Sequence, residues 1–85
     1  MTTTEILARY ETAQETLGML VAIRSRWIHE EEQRPVPDTA KIALWEKEQA
    51  QFTDEDDALL MTDDAGIERI ITVYGPVVKA GFAYE

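Results

Sequence analysis

The stretch TTTEILARYETAQETLGMLVAIRSRWIHEEE, residues 2–32, decides the fold. Thr2 stands three residues before Glu5, the capping-box spacing that opens a helix. From there Ile6, Tyr10, Ala13, Leu17, Leu20, Arg24 and Trp27 recur at alternating spacings of four and three. Leu7, Val21 and Ile28 thicken the same stripe. That is the period of an amphipathic helix, and no proline interrupts it before Pro35. The spacing predicts a helix from about residue 3 to about residue 32, roughly 45 Å long at about 1.5 Å per residue.

Outward from this helix, Pro35-Val36-Pro37 forces an extended connection, because proline cannot continue a helix and restricts the residue before it. Asp38 or Thr39 then caps a second helix, expected over 39–52, with Ile42, Trp45 and Phe52 on one face and Gln49 between them. Thr53 is expected to open a further short helix through Met61. This would place Asp54, Glu55, Asp56 and Asp57 in a first turn, where acids complement the positive end of the helix dipole.

The last third admits two readings. As helix, Thr62 or Asp63 caps it, Ile67, Ile70, Ile71 and Tyr74 share a face, and Gly75-Pro76 stops it. As strand, Ala58 to Thr62 pairs with Ile67 to Tyr74 in a hairpin over 58–74, favoured by the β-branched run Ile70-Ile71-Thr72-Val73. Helix is preferred, because a lone hairpin leaves a small unprotected sheet and Pro76 blocks its extension. Val77, Val78, Phe82 and Tyr84 are expected to cover something. The fold class is therefore all-α: one domain over residues 1–85, with three or four helices built on a long N-terminal one. The alternative is α+β with the C-terminal hairpin.

The chain has 85 residues, 17 acids, 8 bases and no cysteine, for a net charge of −9. No disulfide, thiolate metal site or cysteine nucleophile is available. The whole excess lies in residues 30–64, which hold twelve acids against Arg34, Lys41 and Lys47. Such a field repels nucleic acid and anionic lipid and attracts basic partners. No apolar run approaches a membrane span, and Met1 to Glu5 lacks the basic and apolar regions of a signal peptide. A cytoplasmic location is expected.

Catalytic and metal patterns are incomplete. His29 is the lone histidine, and the residue three before it is Arg26 where a helical dimetal site needs Glu. Its position near a helix C-terminus gives it a structural role with the dipole. Glu30-Glu31 is followed by Arg34, not by the Glu of a magnesium-holding Glu-Glu-x-x-Glu helix. A calcium loop opening at Asp54 meets Ala58, Leu59 and Ala65 where it needs an oxygen ligand, glycine and glutamate. No metal, cofactor or catalytic residue is assigned, and the chain is expected not to be an enzyme.

Candidate binding residues come from two places. On the first helix, Met19 and Ile23 sit roughly 110° to 150° from the centre of the main stripe, with Trp27 bridging part of the gap. Gly18, Ala22 and Ser25 form a strip of small residues on the other flank; a mid-helix glycine costs about 1 kcal/mol relative to alanine. In the acidic half, Asp54, Glu55, Asp56, Asp57, Asp63 and Asp64 are candidates for meeting a basic surface. Arg24, Arg26 and Arg34 are expected to pair with neighbouring glutamates. The function expected is binding of a basic partner protein, in the manner of an antitoxin, immunity protein or other inhibitor. The alternative is a self-associating helical adaptor, a dimer packed through Gly18, Ala22 and Ser25. A DNA mimic is disfavoured by the clumped spacing of the acids.

Overall fold

The computed structural model describes the backbone of residues 2–83 and the side chains of residues 2–81. Among the described residues, four α-helices form: α1 (Thr3–Glu32), α2 (Thr39–Ala58), α3 (Asp64–Arg69) and α4 (Gly75–Ala83). Two short loops join the first three, and a π-helical turn at Ile70–Tyr74 joins α3 to α4. No strand occurs among the described residues, so the hairpin over 58–74 is replaced by helix. Asp63 explains why: its carboxylate accepts the Gly66 N–H at 3.0 Å and starts α3 where a hairpin would need a turn.

At the other end of the chain, the Thr2 hydroxyl accepts the Glu5 N–H and starts α1, which then runs without a break. α2 returns antiparallel along it. Trp45 meets Trp27 at 5.6 Å between ring centroids, Gln49 donates to the Val21 carbonyl at 2.9 Å, and the Tyr10 hydroxyl donates to the Leu59 carbonyl. The segment Asp64–Ala83 then runs parallel to α1, with Glu68 paired to Arg9 near one end and Gly81 against Ile23 near the other. The result is an up-down-up bundle of 53 × 25 × 16 Å.

The core is small. Ala13, Leu17, Leu20, Ile67 and Ile70 are almost fully buried, and Leu59 and Val78 close it at the edges. Burying a side chain such as Leu17 contributes about 1.5–3 kcal/mol. α2 has no buried residue at all. It is held by half-buried aromatics instead: Trp27 on Trp45, and Phe52 edge-on to Tyr74 at 5.7 Å. Arg24 lies in this seam, 4.4 Å from the Trp27 ring centre and 3.4 Å from Glu48.

Two sequence expectations are corrected here. α2 does not end at 52; it continues through Thr53 to Ala58, without a new cap at Thr53. Gly75-Pro76 does not stop the last helix, because the turn before Pro76 widens into the π turn. In a regular helix the proline ring would collide with the carbonyl four residues back and its missing N–H would break the ladder; a widened turn relieves both. Of the four residues after Pro76 expected to cover something, Val78 is buried and Val77 is half exposed. The Phe82 side chain and Tyr84 lie outside the described residues.

Candidate functional site

Three surface regions are built by this arrangement. The first is the end of the bundle where α2 turns into α3. Asp54 and Asp57 are exposed there, as are Asp63 and Asp64 across the turn. The turn itself exposes Leu60 and Met61, at 64% and 39%. The acids of this end do different things. Glu55 accepts the Tyr74 hydroxyl and an ion pair from Arg69 at 2.5 Å. Tyr74 and Glu55 hold the Arg69 guanidinium above its usual pKa range. Asp56 turns inward, with Oδ1 buried and without a hydrogen bond. Asp63 caps α3, and Asp64 lies in the first turn of α3, where the dipole favours it.

Asp54 to Asp57 occupy the last turn and a half of α2, not the first turn of a new helix. A helix C-terminus carries the negative end of the dipole, and no basic residue of α2 stands in its last turn to offset them. Glu55 is offset by Arg69 and Tyr74, but the exposed Asp54 and Asp57 work against the helix, where in a first turn they would favour it.

The second region is the outer face of α1. Gly18, Ala22 and Ser25 are exposed, and a Cβ built on Gly18 meets nothing within 4 Å. Met19 is 41% exposed. Ile23, grouped with them from sequence, is 5% exposed: α4 covers it, with Gly81 so close that a Cβ there would lie 2.8 Å from Ile23 Cδ1. It is a core residue of the single chain. Trp27 is half-buried in the α1–α2 seam.

The third is a groove. No Cα of α2 lies within 8 Å of a Cα in α3, the π turn or α4, so only long side chains bridge the gap. At its base is a shallow cavity of about 220 Å³ lined by Glu55, Ala58, Leu59, Asp63, Gly66, Arg69 and Ile70. Its charged groups are already engaged: Arg69 is paired to Glu55, and Asp63 accepts the Gly66 N–H.

Arg26 and Arg34 pair with neighbouring glutamates as the sequence suggests, Arg26 with Glu30 and Arg34 with Glu31, whereas Arg24 pairs across the seam with Glu48 of α2. What sequence reasoning missed is Glu31, buried at the tip of the α1–α2 hairpin. It accepts the Asp38 N–H at 3.0 Å and pairs with Arg34 at 3.3 Å, so it staples the proline loop to α1. The Asp38 hydrogen bond, aided by Arg34 and Lys41 against partial desolvation, holds its carboxyl below the usual range. The only sequence signal was its place among three successive glutamates, which does not single it out.

No helix among the described residues is long and apolar enough to cross a membrane. Among those residues no three histidine, aspartate or glutamate side chains gather as a metal site. The fold defines the chain as a small all-α bundle with one long N-terminal helix. No protein-family model, curated protein or solved structure matches it.

Proposed function

We propose that this chain is a non-enzymatic protein-binding module whose acidic end engages a basic partner protein. The observation that carries this is the position of Asp54 and Asp57 at the negative end of α2, where they weaken the helix they belong to. Residues that work against local stability are candidates for function. Leu60 and Met61 stand beside them as exposed apolar groups, so the end combines an apolar centre with a carboxylate rim. In such an interface the charges set encounter rate and partner choice, while the apolar groups supply lasting affinity.

The test is capture of partners from host lysate at low and high salt by the wild type, by Asp57→Lys with Asp64→Lys, and by Leu60→Ser. One stoichiometric partner with a basic surface, released by salt and lost by both variants, is expected. A partner retained equally by the charge-reversed variant excludes a contact led by this end.

A further inference from the structure

We infer that Arg69 is an internal competitor for the basic partner, a role that rests on the reading of the acidic end as a binding site. Its guanidinium occupies Glu55, and an arginine or lysine of the partner gains that carboxylate only by displacing it.

Arg69, Glu55 and Tyr74 tie together two parts of the bundle whose backbones stay apart. Among the described residues no Cα of α2 lies within 8 Å of a Cα in α3, the π turn or α4. Side chains close the gap. Glu55 of α2 pairs with Arg69 of α3 at 2.5 Å and accepts the Tyr74 hydroxyl at 3.2 Å, while Phe52 of α2 meets the Tyr74 ring. The Arg69 guanidinium lies 5.4 Å from the centre of that ring, so the aromatic face and the carboxylate hold it together.

The distribution of charge gives this pair its meaning. Residues 54–64 hold six acids and no base. Among the described residues lining the cavity at this end, Glu55, Asp63 and Arg69 are charged, and Arg69 is the one cation. Glu68, its neighbour in sequence, is paired with Arg9 of α1 and adds no net charge. Asp54, Asp57, Asp63 and Asp64 are exposed. Glu55 is less open than the guanidinium on it, with side-chain exposures of 29% and 51%. An approaching cation therefore meets the outer aspartates as charges and Glu55 as a neutral pair.

The pair is also weak enough to exchange. A half-exposed ion pair adds little net stability, because water screens it. A guanidinium from a partner offers the carboxylate the same two-pronged geometry that Arg69 does. Exchange loosens the tie between α2 and α3, and α2 has no buried residue to hold it there. Binding and opening of this end are thereby coupled.

A tetra-arginine peptide titrated at low salt into the isotope-labelled full chain, followed by NMR, tests this, with circular dichroism to confirm that each variant folds. The wild type is expected to bind weakly, with shifts at Asp54, Asp57, Asp63 and Asp64. Arg69→Met is expected to bind about fivefold more tightly, which is what an exposed pair can withhold. Lys79→Met makes the same change in net charge at an exposed residue of α4 and is expected to alter affinity by less than about twofold. Arg69→Met combined with Glu55→Gln keeps the wild-type net charge and should return to wild-type affinity, because the uncovered carboxylate is gone. A gain in Arg69→Met no larger than in Lys79→Met, or one that survives in the double variant, overturns the inference and leaves the acidic end as a binding site. Absence of binding by the wild type, or binding that Asp57→Lys with Asp64→Lys does not weaken, overturns the acidic end as a binding site and the competitor role with it.

Discussion

Asp57→Lys should make this protein more stable, although it replaces one exposed residue with another. Asp57 lies in the last turn of α2, and that turn has no basic residue. A charge at a helix end is worth about 0.3–1 kcal/mol at low ionic strength. Reversal removes one unfavourable charge and adds one favourable charge, so the gain is roughly twice that; with Asp57 open to solvent the lower half of the range, about 1 kcal/mol, applies. The net charge also falls in magnitude from −9, which reduces self-repulsion in the folded state. Urea denaturation followed by circular dichroism reads the change directly. With a slope of about 1 kcal/mol/M, the midpoint should rise by about 1 M. At 1 M salt the screening length shrinks to about 3 Å and most of the gain should vanish. A variant that is less stable than wild type, or a gain that survives high salt, would falsify the assignment of Asp57 as an electrostatic cost. The same variant is expected to lose the basic partner, so stability and binding should move in opposite directions.

Gly18→Ala should stabilise by about 1 kcal/mol, since the new methyl enters open space in a helix interior. Gly66→Ala should not, because its Cβ would overlap Asp63 Oδ2 and displace the carboxylate that caps α3, a loss of about 0.5–2 kcal/mol; urea midpoints of the pair decide. Glu31 has a lowered pKa in the folded chain, so its contribution is complete above the ordinary carboxylate pKa and fades as pH falls through the lower folded value. Urea midpoints from neutral to acid pH should therefore fall less steeply in Glu31→Gln, and equal slopes would assign the acid loss to other carboxylates. Native-state hydrogen exchange should find α2 opening at lower free energy than Ala13–Ile23 of α1, because α2 has no buried residue. Protection of α2 equal to that of α1 would mean that the aromatic seam binds it as firmly as a core.

α1 was legible because its periodicity persists from Ile6 to Ile28 and its cap is local. A single-face stripe of that length has no competing solution. The caps at Asp38 and Asp63 were legible for the same reason, since each reaches only to N–H groups two or three residues ahead. The unbroken course of α2 past residue 52 was not. Local electrostatics argue for a break near Thr53, and the helix continues because Glu55 finds Arg69 and Tyr74, which are distant in sequence. The passage through Pro76 was equally hidden: proline argues for a stop, and the widened turn fits within a segment held by Ile67, Ile70 and Val78 in the core. Of the candidate binding residues, the exposed strip of Gly18 and Ala22 followed from spacing. Ile23 did not, because only the parallel course of α3–α4 determines which flank of α1 is covered.

The helical class, the long first helix and the confinement of the net charge to residues 30–64 all follow from the order of residues. Each depends on neighbours within a turn or on composition. Packing settled which flank of α1 meets solvent, that the acids fall at the unfavourable end of a helix dipole, and that Glu31 anchors a loop. Those outcomes depend on which helices lie side by side, a choice made by burying Leu17, Leu20 and Ile67 together and not by any local preference.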